Sequence, residues 1–111
     1  MSIFPYCVDF RPEGVMIGVT AQLTVREGSQ EEFERVVKEL QAAVKANEPG
    51  ALLYQCFKVR DAVNTYMFME QYADQAAVEA HRASEHFKRL GKAMGPCLEG
   101  TPVIVRMDSL E

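Results

Sequence analysis

The sequence has no tryptophan, only two histidines and only three cysteines in 111 residues. Cys7, Cys56 and Cys97 are odd in number and far apart, with no C-x-x-C pair. Neither a disulfide framework nor a zinc site is expected, and reduced thiols are. No apolar run reaches the ~18 residues that a membrane span requires. The start, Met1 to Cys7, has no basic flank and no apolar core of signal-peptide length, so the chain is expected in the cytoplasm. A phosphate loop, a dinucleotide fingerprint and a zinc motif are all missing, which removes the usual sequence evidence for nucleotide, nicotinamide or flavin binding. Basic residues are not clustered: 12 Lys and Arg are interleaved with 16 Asp and Glu, for a net charge of −4. Nucleic acid and anionic membrane surfaces are therefore not expected partners.

What is present describes one globular domain, with 48% hydrophobic and 25% charged residues. Residues 1–14 read as an apolar N-terminal arm, punctuated by Pro5, Pro12 and Gly14, and residues 15–108 as the domain. Val15 to Val25 alternates with period two, as a strand with one apolar face does. Ser29-Gln30-Glu31-Glu32 has the form of a capping box. Phe33, Val36, Val37, Leu40 and Val44 follow at helical spacing, with Glu34 and Lys38 placed to pair on the wet side. Asn47-Glu48-Pro49-Gly50 stops that helix. Ala51 to Arg60 and Thr65 to Tyr72 read as strands joined by a hairpin turn at Asp61 to Asn64. Asp74 is a good N-cap for a second helix, which bends or breaks between Ala83 and His86 and ends at Gly95-Pro96. Thr101 to Met107 is the last strand. The order β-α-β-β-α-β predicts an α+β, ferredoxin-like fold with an antiparallel sheet. Two helices cover one face of such a sheet. The other face, with Gln22, Thr24 and either Met67 or Phe68, is too apolar for water, and this predicts a homodimer packed through the sheet.

Few polar residues stand out. His81 and His86 lie five apart, about 140° around an unbroken helix, so the pair does not share a face and makes no metal site by itself. With a break near Ser84, Ala77, Val78 and His81 form an inward arc, and His81 is placed to exchange a proton near neutral pH. On an unbroken helix His81 lies on the flank and pairs with Glu85. His86 reads as a capping or surface residue, and Ser84 as the cap of the resumed helix. Glu70 lies in an apolar strand on the face it shares with Phe68 and Tyr72. It either pairs, hydrogen-bonds or lines a cavity, because unpaired burial is costly. Tyr54 shares a strand face with Cys56 and offers either a hydroxyl to a pocket or a core ring with a wet tip.

The stretch Tyr66 to Phe87 resembles the antibiotic biosynthesis monooxygenase family, whose members often show E-x-W-x-D followed by A-(L/V)-x-x-H-x-x-S-x-H-F. Glu70, Asp74, Ala77, Val78, His81, Ser84, His86 and Phe87 carry the match. Pro49-Gly50 followed by Tyr54 is similar to the family's approach to its second strand. Tyr72 departs from the pattern, standing where many members have tryptophan. The resemblance implies a dimeric α+β barrel with a pocket between sheet and helices in each subunit. It also implies oxygenation of a small quinol-like or aromatic substrate with no metal, flavin or other cofactor. In that outline His81 is base or donor, Tyr54 and Glu70 orient the substrate, and Phe68, Tyr72, Ser84, His86 and Phe87 bind it. The heme-degrading branch uses an asparagine on strand one and a histidine beyond the phenylalanine of helix two. Ala21 and Gly91 stand at those places, so heme is not expected. A branch that processes a phosphorylated quorum signal without oxygen has a similar E-x-Y-x-D sequence. A non-oxidative isomerase of a small carbonyl metabolite and a non-catalytic binding or stress-response module are therefore the alternatives.

Overall fold

A computed structural model of the chain describes residues 15–110. The expected arm, residues 1–14, lies outside the described residues. The elements are β1 (Ile17–Thr24), α1 (Gln30–Asn47), β2 (Ala51–Lys58), β3 (Thr65–Tyr72), α2 (Gln75–Ala83), α3 (Glu85–Met94), a 3-10 turn (Gly95–Cys97) and β4 (Val103–Asp108). The strands lie in the order β2-β3-β1-β4, with every neighbouring pair antiparallel. β1 and β2 therefore run parallel with β3 between them, which is the split βαβ arrangement expected from the element order.

Helix α1 forms where the apolar residues recur every three or four positions, and Phe33, Val36, Val37, Leu40 and Val44 are all buried. Each such burial stabilises by roughly 1.5–3 kcal/mol relative to exposure. They pack on Leu23, Tyr66 and Phe68 of the sheet and on Leu90 and Met94 of α3. A smaller cluster of Ile17, Tyr72 and Val78 joins the sheet to α2.

The start of α1 differs from expectation. Ser29 makes no side-chain cap, so the capping box does not form. The Gln30 side chain accepts from the Gly28 amide instead, and Glu32 is held by Arg35. Glu34 does not pair with Lys38, because it accepts a hydrogen bond from the Tyr66 hydroxyl. Asp74 caps α2 through the Ala77 amide as expected. Ser84 both ends α2 and begins α3, donating to the His81 carbonyl and accepting from the Phe87 amide.

Strand register divides the side chains into two faces. Ile17, Val19, Ala21 and Leu23 face the helices, opposite Tyr72, Glu70, Phe68 and Tyr66. Met67, not Phe68, belongs to the opposite face.

Candidate functional site

Three cross-strand rows on the helix-facing side supply the floor of a pocket through Tyr54, Glu70, Val19 and Arg106, through Phe68, Ala21 and Ile104, and through Tyr72. The register sets Tyr54, Glu70, Val19 and Arg106 in one row and Cys56, Phe68, Ala21 and Ile104 in the next. A third row begins Ala51, Tyr72, Ile17. Helices α2 and α3 roof the space with Val78, His81, Phe87, Gly91 and Met94, leaving a half-open pocket of about 440 Å³. The volume exists because two of its wall positions are small: Ala21 on the floor and Gly91 on the roof, where an added Cβ would meet nothing within 4 Å. Neither carries an atom that could ligate a heme iron. Most of the wall is apolar, and its polar groups are Tyr54, Glu70, Tyr72, His81, Arg82 and Arg106.

His81 is buried, at 4% exposure. Its ring lies 5.0 Å from Tyr54, 5.5 Å from Tyr72 and 4.6 Å from Phe87, measured between ring centres. Its Nδ1 is 3.0 and 3.1 Å from the two carboxylate oxygens of Glu48. A carboxylate only accepts, so Nδ1 carries the hydrogen and the lone pair of neutral His81 is on Nε2. Among the described residues no hydrogen bond reaches Nε2. Burial lowers the proton affinity of His81, opposed by the charge of Glu48 and by the hydrogen bond that His81 donates to it.

Glu48 also takes a hydrogen bond from Nε2 of His86. The two histidines thus meet on one carboxylate, although an unbroken helix would point them apart. The break at Ser84 is the reason, because it lets α3 leave at a new angle. The alternative pairing of His81 with Glu85 does not occur. These nitrogens point at Glu48, and among the described residues no group of three His, Cys, Asp or Glu is set out to hold a metal ion.

Glu70 accepts from the Tyr72 hydroxyl at 2.7 Å. Burial raises its carboxyl above the ordinary range, opposed by the Tyr72 hydrogen bond and by Arg106. Burial, reinforced by the charge of Glu70, raises the phenols of both Tyr54 and Tyr72, which remain protonated donors.

Of the residues singled out from sequence, Tyr54, Phe68, Glu70, Tyr72, His81 and Phe87 come together around the pocket. Ser84 and His86 do not line it: one is the cap between two helices, the other sits behind Glu48. Sequence reasoning missed Glu48, Arg82 and Arg106. Glu48 read only as part of a helix stop, yet an acidic residue at a helix C-terminus opposes the helix dipole and is a sign of another partner.

The fold and the pocket define a ferredoxin-like α+β domain with an apolar pocket and a buried, carboxylate-backed histidine in its wall. The antibiotic biosynthesis monooxygenase family model matches residues 16–93, and the chain belongs to that family. The solved structure of a candidate antibiotic biosynthesis monooxygenase from Caulobacter crescentus CB15 is 42% identical, with a TM-score of 0.85, covering 89% of this chain and 93% of that one. A Pseudomonas aeruginosa protein is 27% identical, with a TM-score of 0.79, covering 91% and 100%. A Mycobacterium tuberculosis protein, 18% identical with a TM-score of 0.79, covers 86% and 96% and shares the fold. Comparison with curated proteins returns no match. Among the described residues no helix is long and apolar enough to cross a membrane.

Proposed function

We propose that the chain is a cofactor-independent monooxygenase of a small quinol-like or aromatic substrate, with His81 as its general base. The observation that carries this reading is His81: its ring is buried in the wall of an apolar pocket, Nδ1 is fixed by Glu48, and among the described residues no hydrogen bond occupies Nε2. A phenol or enol seated there loses its proton to Nε2 and becomes electron-rich. The ring, not the protein, is then the reductant of oxygen. One oxygen atom enters the substrate and the other leaves as water. The chamber contributes a dry environment, and the Tyr54 and Tyr72 hydroxyls are donors available to a developing oxyanion.

The test is oxygen uptake coupled to loss of a quinol or anthrone. His81→Ala should lower kcat by about 10²–10⁴-fold, the usual range for a positioned base, with folding retained. Unchanged turnover in that variant removes His81 from the chemistry. Turnover that persists under nitrogen replaces oxygenation with proton transfer at the same base, the isomerase alternative. Binding without turnover leaves the non-catalytic one.

The same reading includes a second copy of the chain on the open face of the sheet. Gly18, Thr20 and Gln22 of β1, Leu53, Gln55 and Phe57 of β2, Met67, Met69 and Gln71 of β3 and Val103, Val105 and Met107 of β4 share that face by register, and none is charged. Val103 is 60% exposed in the single chain, and Phe57, Met69, Val105 and Met107 are also exposed. A face that is uncharged and largely apolar is complementary to itself, which favours a twofold partner.

A further inference from the structure

Behind the chamber, Glu48 sits between His81 and His86. The side chains of His81 and Glu48 are 5% and 8% exposed, whereas that of His86 is 14% exposed. One buried carboxylate can offset one imidazolium. Two imidazolium rings on the same carboxylate leave a net positive charge in a dry place, which is costly. The wetter ring is the better seat for that single charge. Among the described residues no other cation is hydrogen-bonded to this group. The titratable and charged groups around His81 are Glu48, Tyr54 from β2, Glu70 and Tyr72 from β3, Arg106 from β4, Arg82 beside it on α2 and His86 from α3.

We infer that His86 is a positioning residue of this site, coupled to His81 through Glu48 in a buried unit that holds one positive charge at a time. The inference rests on His81 being the base. When His81 gains a proton on Nε2 from a bound ligand, a second charge on His86 is disfavoured, because both rings share the one carboxylate of Glu48. Glu48 keeps its charge, and both of its hydrogen bonds remain. Base strength at His81 is therefore set from outside the chamber, by a residue the ligand never touches. In the same direction, the charge of His86 lowers the proton affinity of His81.

The experiment is a proton-NMR and carbon-13 titration of both histidine rings in the intact protein. In the wild type each ring should report both titration steps, as coupled groups do. In His86→Gln, which keeps a donor for Glu48 but has no titrating ring, His81 should titrate in one step, displaced upward by about one pH unit. The acid limb of kcat/KM for whatever substrate is turned over should move upward with it, while KM changes little. Two independent one-step curves in the wild type overturn the inference, as does an unshifted His81 in His86→Gln. The wild-type curve decides the matter even if the variant folds poorly. The titration needs no substrate, so failure to find an oxygenase activity and failure of the coupling are separate results.

Discussion

Tyr72 shows how a single hydroxyl serves both stability and the site. Its ring is among the largest fully buried side chains, and its O–H goes to Glu70. Tyr72→Phe leaves a half-buried carboxylate without that donor, at a cost of about 1–3 kcal/mol. Loss of the hydrogen bond also pushes the Glu70 carboxyl further up, since that bond is what opposes desolvation there. Urea unfolding measures the first effect and a carboxyl-carbon NMR titration the second. An unchanged Glu70 titration would show that Tyr72 does not govern it. Cys56 is a contrasting case: burial pushes its thiol up to about 12, so it is a packing residue with little thiolate at neutral pH.

At the scale of elements, two glycines predict opposite outcomes for the same change. Gly50 lies where the start of β2 crosses α2, and an added Cβ would stand 2.7 Å from the Cβ of Ala77. That atom is fixed to the helix backbone and cannot swing aside. Gly50→Ala should cost about 1–3 kcal/mol, as overpacking does, and it should loosen Glu48 two residues earlier. Gly91 sits within α3 facing open chamber, so Gly91→Ala should stabilise the fold by about 0.5–1 kcal/mol through helix propensity. A larger residue, Gly91→Leu, should keep the fold and abolish ligand binding by filling the space. Calorimetry orders the three variants, and ligand titration separates the last from the second. The Ser84 junction belongs to this scale too. It was legible as a cap from a serine placed where the second helix breaks and resumes, but the angle it sets between α2 and α3 was not, and that angle brings His81 and His86 onto one carboxylate.

For the whole molecule, stability should depend on pH in two opposed ways. Unfolded His81 takes up a proton near pH 6.5, and burial moves the folded value lower. Between those values the unfolded chain binds more protons, so stability present above the unfolded value is lost as the pH falls through the folded one. Glu70 works in reverse. Its folded carboxyl is raised above 4.5, so the stability it confers is complete below that value and lost as the pH climbs through the folded value. A Tm series against pH checks both signs, and His81→Gln should remove the acid-side loss below pH 6.5 while leaving the Glu70 slope. Assembly is the other property at this scale. Val105→Asp or Met67→Asp places a charge in the open sheet face and should convert a dimer to monomer in the ultracentrifuge without touching the chamber. A wild-type monomer at micromolar concentration would contradict the proposed second copy.

By itself the sequence determined the element order, the buried face of α1, the Asp74 and Ser84 caps and the single strand face shared by Phe68, Glu70 and Tyr72. All of these rest on local periodicity or on hydrogen bonds spanning three or four residues. The tertiary structure decided that Met67 faces outward, that Ser29 and Glu34 turn to other partners, and that Glu48 closes on two histidines more than thirty residues away. Such contacts depend on how a helix break and a sheet register combine in space, and no repeat of 2.0 or 3.6 residues along the chain encodes that combination.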